Sequence, residues 1–211
     1  MTIKEWDGVI EACSGDVRRL SDVWRFGSIP ILIRENTSDH SYWVCLYSVL
    51  IHRIVRPDDT NLIGPILLHA TIHDLLESKT GDIILPTKYT TPELKAEIDR
   101  AELIHLETFE PEVKNLFELD NQLMGDESDY VKKIVKAADF MSLYQFMLRE
   151  WGRGNREIKR FYLKMIDDLD KAGKNIEISE NLEDKRIADL YFNMAGQAAN
   201  FIGYRSPRVR T

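Results

Sequence analysis

The pair His73-Asp74 is the sharpest chemical feature of the sequence, because two side chains that can bind a metal ion stand together inside an apolar helical stretch. Burying an imidazole and a carboxylate is costly unless each finds a partner. A hydrogen-bonded core histidine explains an isolated pair of this kind more often than a metal site does. Other residues of the chain must therefore decide between the two interpretations.

Two further side chains of the right type lie far away in the sequence. His40 stands 33 residues before His73, near the start of an apolar helical stretch, and Asp139 stands 66 residues after it in another. Three helices can thus bring together two imidazoles and two carboxylates. This donor set suits a divalent transition metal ion, and four protein ligands leave positions for water and a substrate oxygen if the ion is five- or six-coordinate.

Glu77 follows His73 by four residues and Asp74 by three, so a continuous helix would place it on the metal-facing side one turn further along. There it could orient or deprotonate a water molecule. An isolated glutamate at such a position would ordinarily be a solvated helix residue. Next to four potential metal ligands, the catalytic interpretation is the stronger one.

The order His, His-Asp, Asp resembles the HD superfamily of metal phosphohydrolases, which is all-helical. Within it, the chain is most similar to the bacterial HD-domain 5'-deoxynucleotidases and to the related small phage dATP triphosphohydrolases. Four motifs in the same order carry this resemblance: Arg25-Phe26 continuing to Arg34-Glu35-Asn36-Thr37-Ser38-Asp39-His40-Ser41; His73-Asp74-Leu75-Leu76-Glu77; Thr80-Gly81-Asp82 with Pro86-Thr87-Lys88-Tyr89; and Ile134-Val135-Lys136-Ala137-Ala138-Asp139.

The resemblance implies a role for each matching residue. It implies His40, His73, Asp74 and Asp139 as ligands of one divalent metal ion, with Co, Mn, Zn, Fe and Mg all possible, Glu77 as the catalytic carboxylate, Asp82 as a substrate or acid-base residue, and Arg25 as the phosphate contact. A guanidinium binds phosphate oxygens in a two-pronged fashion, which suits the last role. Lys88 and Lys136 also match the family, and each could neutralise phosphate or pair with an acidic ligand.

The chain also departs from the family pattern. Phe26 stands where the family has a tryptophan after the arginine. It offers a smaller stacking surface and lacks the indole donor, so the resemblance alone does not establish the family's selectivity for deoxyribose in this chain. His69 precedes His73 by one turn and is expected to support the site or to pack. His52 and His105 lie outside every motif and are expected to be ordinary core or surface histidines.

Three functions remain open at this point. The leading one is a metal-dependent 5'-deoxynucleotidase that releases phosphate from deoxynucleoside 5'-monophosphates. A deoxynucleoside triphosphate triphosphohydrolase is the second, and it would need extra cations, for which the chain offers Arg34, Lys79, Lys88 and Lys132. A non-catalytic nucleotide-binding module is the third, although the full ligand set argues against it. Because relatives commonly self-associate, a homo-oligomer is expected.

The elements that must position these residues are helices. Apolar residues recur with helical period along most of the chain, which predicts an all-α fold with a single domain over residues 1–204 and a short basic tail, 205–211. Ser38 is predicted to cap the third helix, with Trp43, Val44, Tyr47 and Leu50 facing inward. The predicted helices are Thr2 to Cys13, Asp16 to Phe26, Ser38 to Arg56, Asn61 to Lys79, Pro92 to Phe109, Glu112 to Met124, Ser128 to Gly152, Arg156 to Gly173 and Glu183 to Ile202, with a loop at 81–90.

Composition narrows the functional classes further. The chain has 211 residues, 44% of them apolar and 30% charged, and 28 basic against 35 acidic residues give a net charge of −7. This mixture is typical of a globular domain and disfavours binding to a nucleic-acid polymer. No apolar run suits a membrane span or a secretion leader, and two cysteines form no disulfide framework, so a cytoplasmic location is expected.

Overall fold

The computed structural model of the chain describes residues 3–83, 85–88, 90–179 and 181–204. Within those ranges the chain is all-helical, which confirms the predicted fold class, and its one pairing of extended backbone is an isolated antiparallel bridge between Trp24 and Asn36. The helices of the described ranges are α1 (Ile3–Ser14), α2 (Thr37–Val55), α3 (Ile63–Ile72), α4 (Glu77–Thr80), α5 (Leu85–Lys88), α6 (Pro92–Leu106), α7 (Pro111–Met124), α8 (Ser128–Gly152), α9 (Lys159–Glu177) and α10 (Leu182–Phe201), with 3₁₀ helices at Asp16–Asp22 and Gly125–Glu127.

Helix α8 lies at the centre of the main hydrophobic core and packs against α2, α3, α9 and α10. Its apolar residues Val131, Ile134, Val135 and Ala138 recur at helical spacing and are almost completely buried. Burial of one such aliphatic side chain stabilises the fold by roughly 1.5 to 3 kcal/mol. The helix that carries Asp139 is therefore firmly fixed by its own sequence pattern.

A smaller core fixes the end of α3, where His73 and Asp74 are located. Its buried residues come from α1, the first 3₁₀ helix, the end of α3 with the turn after it, and α7 with the segment before it: Ala12, Leu20, Ile72, Leu75, Phe109 and Val113. Because Ile72 and Leu75 flank the His73-Asp74 pair, their burial orients that pair towards the main body of the protein.

The predicted helix from Asp16 to Phe26 is wrong in its second half. The 3₁₀ helix ends at Asp22, and the backbone after it pairs with the segment that precedes α2. The Thr37 amide donates to the Val23 carbonyl at 2.9 Å, and the Arg25 amide donates to the Glu35 carbonyl at 3.0 Å. These long-range hydrogen bonds replace helical ones, and they bring Arg25 to the first turn of α2.

Glu150 on α8 holds the loop that follows Phe26. Its buried carboxylate accepts hydrogen bonds from the backbone amides of Leu32, at 2.9 Å, and Ile33, at 2.6 Å. Asn155 donates to the Pro30 carbonyl at 2.7 Å and anchors the same loop. A loop with few regular backbone hydrogen bonds is thus tied to the helical core by side chains.

The start of α2 is capped differently from the prediction. Asn36, not Ser38, is the cap, and its side-chain oxygen accepts from the Asp39 amide at 2.8 Å. Of the four residues expected to face inward, Val44 is fully buried and Tyr47 is partly buried, whereas Trp43 and Leu50 are 38% and 52% exposed. Only one side of α2 contacts the core, so apolar residues on its other side stay at the surface.

The predicted fourth helix, Asn61 to Lys79, is interrupted. Helix α3 ends at Ile72, tight turns follow over residues 73–76, and α4 begins at Glu77. The Glu77 amide donates to the Asp74 carbonyl, three residues back, which is the pattern of a 3₁₀ turn. The predicted loop at 81–90 also contains the short helix α5.

The remaining helices agree with prediction to within a few residues, and α8 agrees at both ends. Helix α6 begins at Pro92 as predicted, and Thr91 caps it, because the Thr91 side chain accepts from the Leu94 amide. The basic tail, 205–211, and Tyr89 of the third motif lie outside the described residues, and the division into 1–204 and a tail stays a prediction. In the described ranges, every helix is too short or too polar to cross a bilayer.

Candidate metal centre and active site

The structure brings the four predicted metal ligands together from three places in the fold. His40 lies in the first turn of α2, His73 and Asp74 in the turn after α3, and Asp139 near the middle of α8. His73 Nε2 is 3.2 Å from Asp74 Oδ2, and His40 Nε2 is 3.5 Å from the same oxygen and 3.4 Å from Asp139 Oδ1. Ligand atoms of His40, His73 and Asp74 all lie within 4.8 Å of one another.

Hydrogen bonds to the far side of each ring orient the two histidines. His73 Nδ1 donates to the Ala70 carbonyl at 2.7 Å, and because a carbonyl only accepts, the lone pair of His73 is on Nε2. His40 Nδ1 is bonded to the Ser142 hydroxyl at 2.9 Å. Both Nε2 atoms are buried without a hydrogen-bond partner and face the carboxylates. Metal-binding histidines are held in this manner by a partner on the other ring nitrogen.

Ionisation of the four groups also suits a cation. Burial lowers the pKa of His40, and the Arg25 guanidinium adds to that effect, so this imidazole stays neutral. Burial opposes ionisation of Asp139, but the Lys136 ammonium and His40 outweigh it and hold the Asp139 pKa well below its ordinary value. The pKa of Asp74 is lowered as well, because His73 outweighs the effect of burial. Two ionised carboxylates therefore lie beside the neutral ring of His40.

His73 differs from His40 in its electrostatic surroundings. Burial by itself would lower the pKa of His73, but the neighbouring Asp74 and Asp139 carboxylates and the Ala70 carbonyl raise it above the ordinary value. A divalent cation at Nε2 would compete with a proton for the same lone pair, so metal binding here releases a proton when His73 is charged. Two imidazole nitrogens with two carboxylates fit a divalent transition metal ion better than magnesium, which prefers oxygen ligands.

Glu77 lies at the start of α4 and borders the same cleft as Asp74. Burial and the charge of Asp74 raise the pKa of Glu77 to about 8, against the opposing charge of Arg25. Its Oε2 atom accepts a hydrogen bond of 3.0 Å from the hydroxyl of Thr37, which is fully buried. A carboxylate with a raised pKa that is fixed beside a metal site has the properties of a general base.

Arg25 lies over the carboxylates and is largely buried. Its Nη1 atom is 3.4 Å from Asp74 Oδ2, and its Nε atom is 3.6 Å from Glu35 Oε1. Burial raises the pKa of Glu35, although the Arg25 charge acts against this. A guanidinium at the edge of a metal site, held by acidic groups on its other side, is placed to bind an anionic group.

Phe26 and Asp82 are joined to each other. The Phe26 amide donates to Asp82 Oδ2 at 3.1 Å, and Phe26 adopts the left-handed backbone conformation, with a φ of 62°. The Phe26 ring stacks on Phe146, with 4.2 Å between ring centroids, and is only 9% exposed. Most of its surface therefore contacts the protein core, and a part of it borders the cleft.

The cleft beside the four ligands has two compartments. A polar compartment is bordered by Asp74, Glu77, Lys88 and residues 80–83. An apolar compartment lies between α8 and α9. Four residues border both and mark the junction: Arg25, Asp82, Lys136 and Asp139. A ligand that fills both compartments needs a charged end and an apolar end.

The two lysines of the family motifs both border the polar compartment, and each is paired with an acidic residue. Lys136 is 2.7 Å from Asp139 Oδ2, and Lys88 is 3.0 Å from Glu102 Oε1. Lys136 therefore contacts one of the four predicted ligands, whereas Lys88 contacts a residue outside that set. Each lysine is thus near enough to the cleft to neutralise phosphate charge, and Lys136 also pairs with an acidic ligand.

His69 and His52 pair with residues outside the four predicted ligands. His69 Nδ1 is 2.8 Å from Asp120 Oδ2 in a pair between α3 and α7, which agrees with a packing role. His52 is buried, and its ring nitrogens contact Tyr130 and the Asp59 carbonyl, as expected of a core histidine.

Sequence reasoning missed two supporting residues. Ser142, which contacts His40, stands three residues after Asp139, and Thr37, which contacts Glu77, stands three residues before His40. Each is one helical turn from a predicted ligand, and that spacing is the only signal the sequence offers for them.

An all-helical fold that gathers two histidines and two aspartates in this order has the architecture of an HD-domain metal phosphohydrolase. Comparison with known proteins narrows this class. The model of the family described as 5'-deoxynucleotidase YfbR-like matches residues 14–183, so the chain belongs to that family.

Individual relatives agree with the family. A 5'-deoxynucleotidase of Vibrio cholerae is 30% identical over 148 residues, which cover 66% of this chain and 74% of that protein. The 5'-deoxynucleotidase YfbR of Shigella boydii is 28% identical over 147 residues, covering 66% and 72%. Among solved structures, the cyanophage S-2L HD phosphohydrolase DatZ, bound to dA and one catalytic Zn²⁺ ion, has a similar fold, with a TM-score of 0.55, 20% identity, and coverage of 88% of this chain and 95% of that one.

Proposed function

We propose that this protein is a metal-dependent 5'-deoxynucleotidase that hydrolyses deoxynucleoside 5'-monophosphates to deoxynucleosides and phosphate. The observation that carries the proposal is the four-ligand cluster, with the buried Nε2 atoms of His40 and His73 facing two carboxylates, at the edge of a cleft with one polar and one apolar compartment. A deoxynucleotide has the charged end and the apolar end that such a cleft requires.

His40, His73, Asp74 and Asp139 would hold the divalent ion, which when bound supplies a Lewis acid and lowers the pKa of a coordinated water. Glu77 takes a proton from the attacking water, and Thr37 holds its carboxylate in place at 3.0 Å. The water oxygen forms a bond to phosphorus, and the bond from phosphorus to the 5'-oxygen breaks. This oxygen leaves as the alcohol after taking up a proton from solvent, which balances the proton that Glu77 accepted and later returns to solvent.

Arg25 binds the phosphate, because its guanidinium borders the junction of the compartments beside Asp74. Lys136 and Lys88 add positive charge on the polar side. Asp82 and Phe26 border the sugar, since Asp82 lies at the junction between the two compartments and fixes the Phe26 backbone through its carboxylate. The sugar joins base to phosphate, so the residues at the junction are those that it would meet.

The positions of the other cations favour a monophosphate over a triphosphate. Of the candidates for binding extra phosphate charge, Lys79 pairs with Asp16, and Arg34 lies over the Trp24 ring at 5.6 Å. Lys88 borders the polar compartment. A triphosphate would bring more negative charge to a cleft that is already lined by three carboxylates besides the two aspartate ligands: Glu77, Asp82 and Glu102.

One assay tests the proposed function. Metal-loaded protein is incubated with each deoxynucleoside 5'-monophosphate and triphosphate, and the products are separated. We expect phosphate and deoxynucleoside from the monophosphates. Release of triphosphate from the triphosphates, with monophosphates left intact, would instead establish the triphosphohydrolase, and metal and nucleotide binding without turnover would establish a binding module.

We also propose that the chain forms a homo-oligomer through the outer face of α2. Tyr42, Leu46, Leu50 and Ile54 recur every four residues on this face and are 63%, 40%, 52% and 73% exposed. An apolar groove bordered by Leu50, Ile54 and Leu190 runs beside this ridge, so ridge and groove of two copies can be complementary about a two-fold axis. Sedimentation of wild type and Leu50→Glu tests this; equal masses for both would contradict it.

For the cellular context, we propose a cytoplasmic enzyme that acts on free nucleotides rather than on nucleic-acid polymers or membranes. Cys13 and Cys45 are free thiols, which suits a reducing compartment. The net charge of −7 disfavours non-specific binding to polyanions. Retention of the protein on DNA-cellulose at physiological salt would contradict the proposal that it does not act on nucleic-acid polymers.

A further inference from the structure

The apolar compartment has a polar rim that the proposed catalytic chemistry does not use. Its walls are Phe140, Leu143 and Met147 from α8 and Phe161 and Met165 from α9. Lys164 and Asp168 of α9 border the same compartment, and neither borders the polar one. The compartment therefore combines apolar walls with one charged pair away from the junction.

The compartment has a suitable composition for a nucleobase. Its empty space is about 840 Å³ when the open solvent at its mouth is counted. Aromatic and methionine side chains in its walls offer flat and adaptable apolar contacts. A sugar at the junction would direct its base into this compartment and towards α9.

The charged pair offers one donor and one acceptor side by side. Lys164 Nζ is 2.5 Å from Asp168 Oδ2, and the two side chains are 57% and 32% exposed. An ionised carboxylate only accepts hydrogen bonds and an ammonium only donates them. Adenine and cytosine carry an exocyclic amino group next to a ring nitrogen that accepts, guanine carries an N1–H group next to its O6 carbonyl, and thymine carries an N3–H group next to its O4 carbonyl. The edge of each base therefore offers one donor to the carboxylate and one acceptor to the ammonium.

We propose that Lys164 and Asp168 read the edge of the nucleobase, which deepens the proposed function and rests on it for the placement of the sugar and phosphate. Asp168 accepts from the amino or ring N–H group of the base, and Lys164 donates to the neighbouring ring nitrogen or carbonyl oxygen. Because all four bases present this pair of groups, the site binds each of them and does not select by the exocyclic amino group.

Binding of nucleosides without phosphate tests this inference directly. The dissociation constants of the four deoxynucleosides are measured by calorimetry for metal-loaded wild type and Asp168→Ala. We expect all four deoxynucleosides to lose about three- to tenfold in affinity in Asp168→Ala, the value of one hydrogen bond. Lys164→Met keeps the apolar stem and should weaken the same four ligands.

Helix α9 offers a matched control. Asp167 forms an ion pair of the same spacing with Lys171, at 2.6 Å, but does not border the cleft. Asp167→Ala should therefore leave all four affinities unchanged. Affinities in Asp168→Ala within about twofold of wild type, equal losses in Asp167→Ala, or wild-type protein that binds no nucleoside, would overturn the inference.

The two proposals fail in distinguishable ways. Wild-type protein that binds deoxynucleosides, with affinities that Asp168→Ala lowers, but releases no phosphate from monophosphates would refute the proposed function and support the base contact. Phosphate release from monophosphates, with deoxynucleoside affinities that Asp168→Ala leaves unchanged, would do the reverse.

Discussion

The hydrogen bond between Ser142 and His40 should control metal affinity, although Ser142 is not itself a ligand. Its hydroxyl lies 2.9 Å from His40 Nδ1, on a ring that is fully buried. When Ser142 is replaced by alanine, the ring loses the partner that fixes its orientation, and the tautomer with a proton on Nε2 can compete with the metal-binding one.

The magnitude follows from that single buried contact. A buried hydrogen bond of this kind is worth about 0.5 to 1.5 kcal/mol net, and a buried nitrogen left without a partner costs up to about 3 kcal/mol. Partners on the far side of metal-binding histidines typically change metal affinity by about 10- to 100-fold. We therefore expect Ser142→Ala to weaken metal binding about tenfold, which corresponds to about 1.4 kcal/mol.

The assay is a calorimetric titration of metal-free protein with Co²⁺ or Mn²⁺, accompanied by thermal unfolding to verify the fold. Ser48→Ala is the matched control, because Ser48 is also a fully buried serine but its hydroxyl has no hydrogen-bond partner. A Ser142→Ala protein that is folded and binds metal within about twofold of both wild type and Ser48→Ala would refute the reasoning.

Four further predictions concern neighbouring residues. Glu77→Ala should lose turnover yet keep metal and substrate binding, and near wild-type turnover would contradict the role of Glu77 as a general base. In the wild type, kcat/KM should fall as the pH drops through the pKa of Glu77, which is about 8 without an ion and lower with a bound cation. A flat profile between about pH 5 and 8 would contradict this role. Arg25→Ala should reduce kcat/KM for every phosphorylated substrate by about 10- to 150-fold, the equivalent of a charge-assisted contact of about 1.5 to 3 kcal/mol, and an unchanged kcat/KM would exclude phosphate binding. Phe26→Trp should alter the ratio of kcat/KM between matched deoxy and ribo substrates, and an unaltered ratio would separate this residue from sugar selection. Glu150→Ala should lower the free energy of unfolding by about 2 to 4 kcal/mol in thermal or denaturant unfolding, because the loop amides lose their buried acceptor, and a loss below about 0.5 kcal/mol would show that this contact is dispensable.

The class of the fold could be determined from the sequence because it depends on local pattern. Helical periodicity predicted α8 at both ends, and Thr91-Pro92 marked the start of α6, since caps and periodic burial act over a few residues. The four potential ligands were also identifiable from residue type and order, because few other residues can bind a transition metal. The structure places all four within one cluster.

Tertiary contacts decided what local pattern could not. The segment that follows Asp22 leaves the helix because its backbone pairs with residues 35–37, and the Phe26 ring turns into the core against Phe146, 120 residues away in the sequence. The exposed side of α2 looks as apolar as its buried side, so only its neighbours show which residues face the core.

The same distinction applies to the site. Residue types indicated which side chains could bind a metal, but not that Ser142 and Thr37 hold His40 and Glu77, nor that α9 closes an apolar compartment beside them. Such contacts join residues that are 40 to about 100 positions apart, and their geometry depends on how whole helices pack. Sequence alone therefore determined the chemistry available to this protein, whereas packing decided how that chemistry is positioned and which part of a substrate each wall of the cleft can meet.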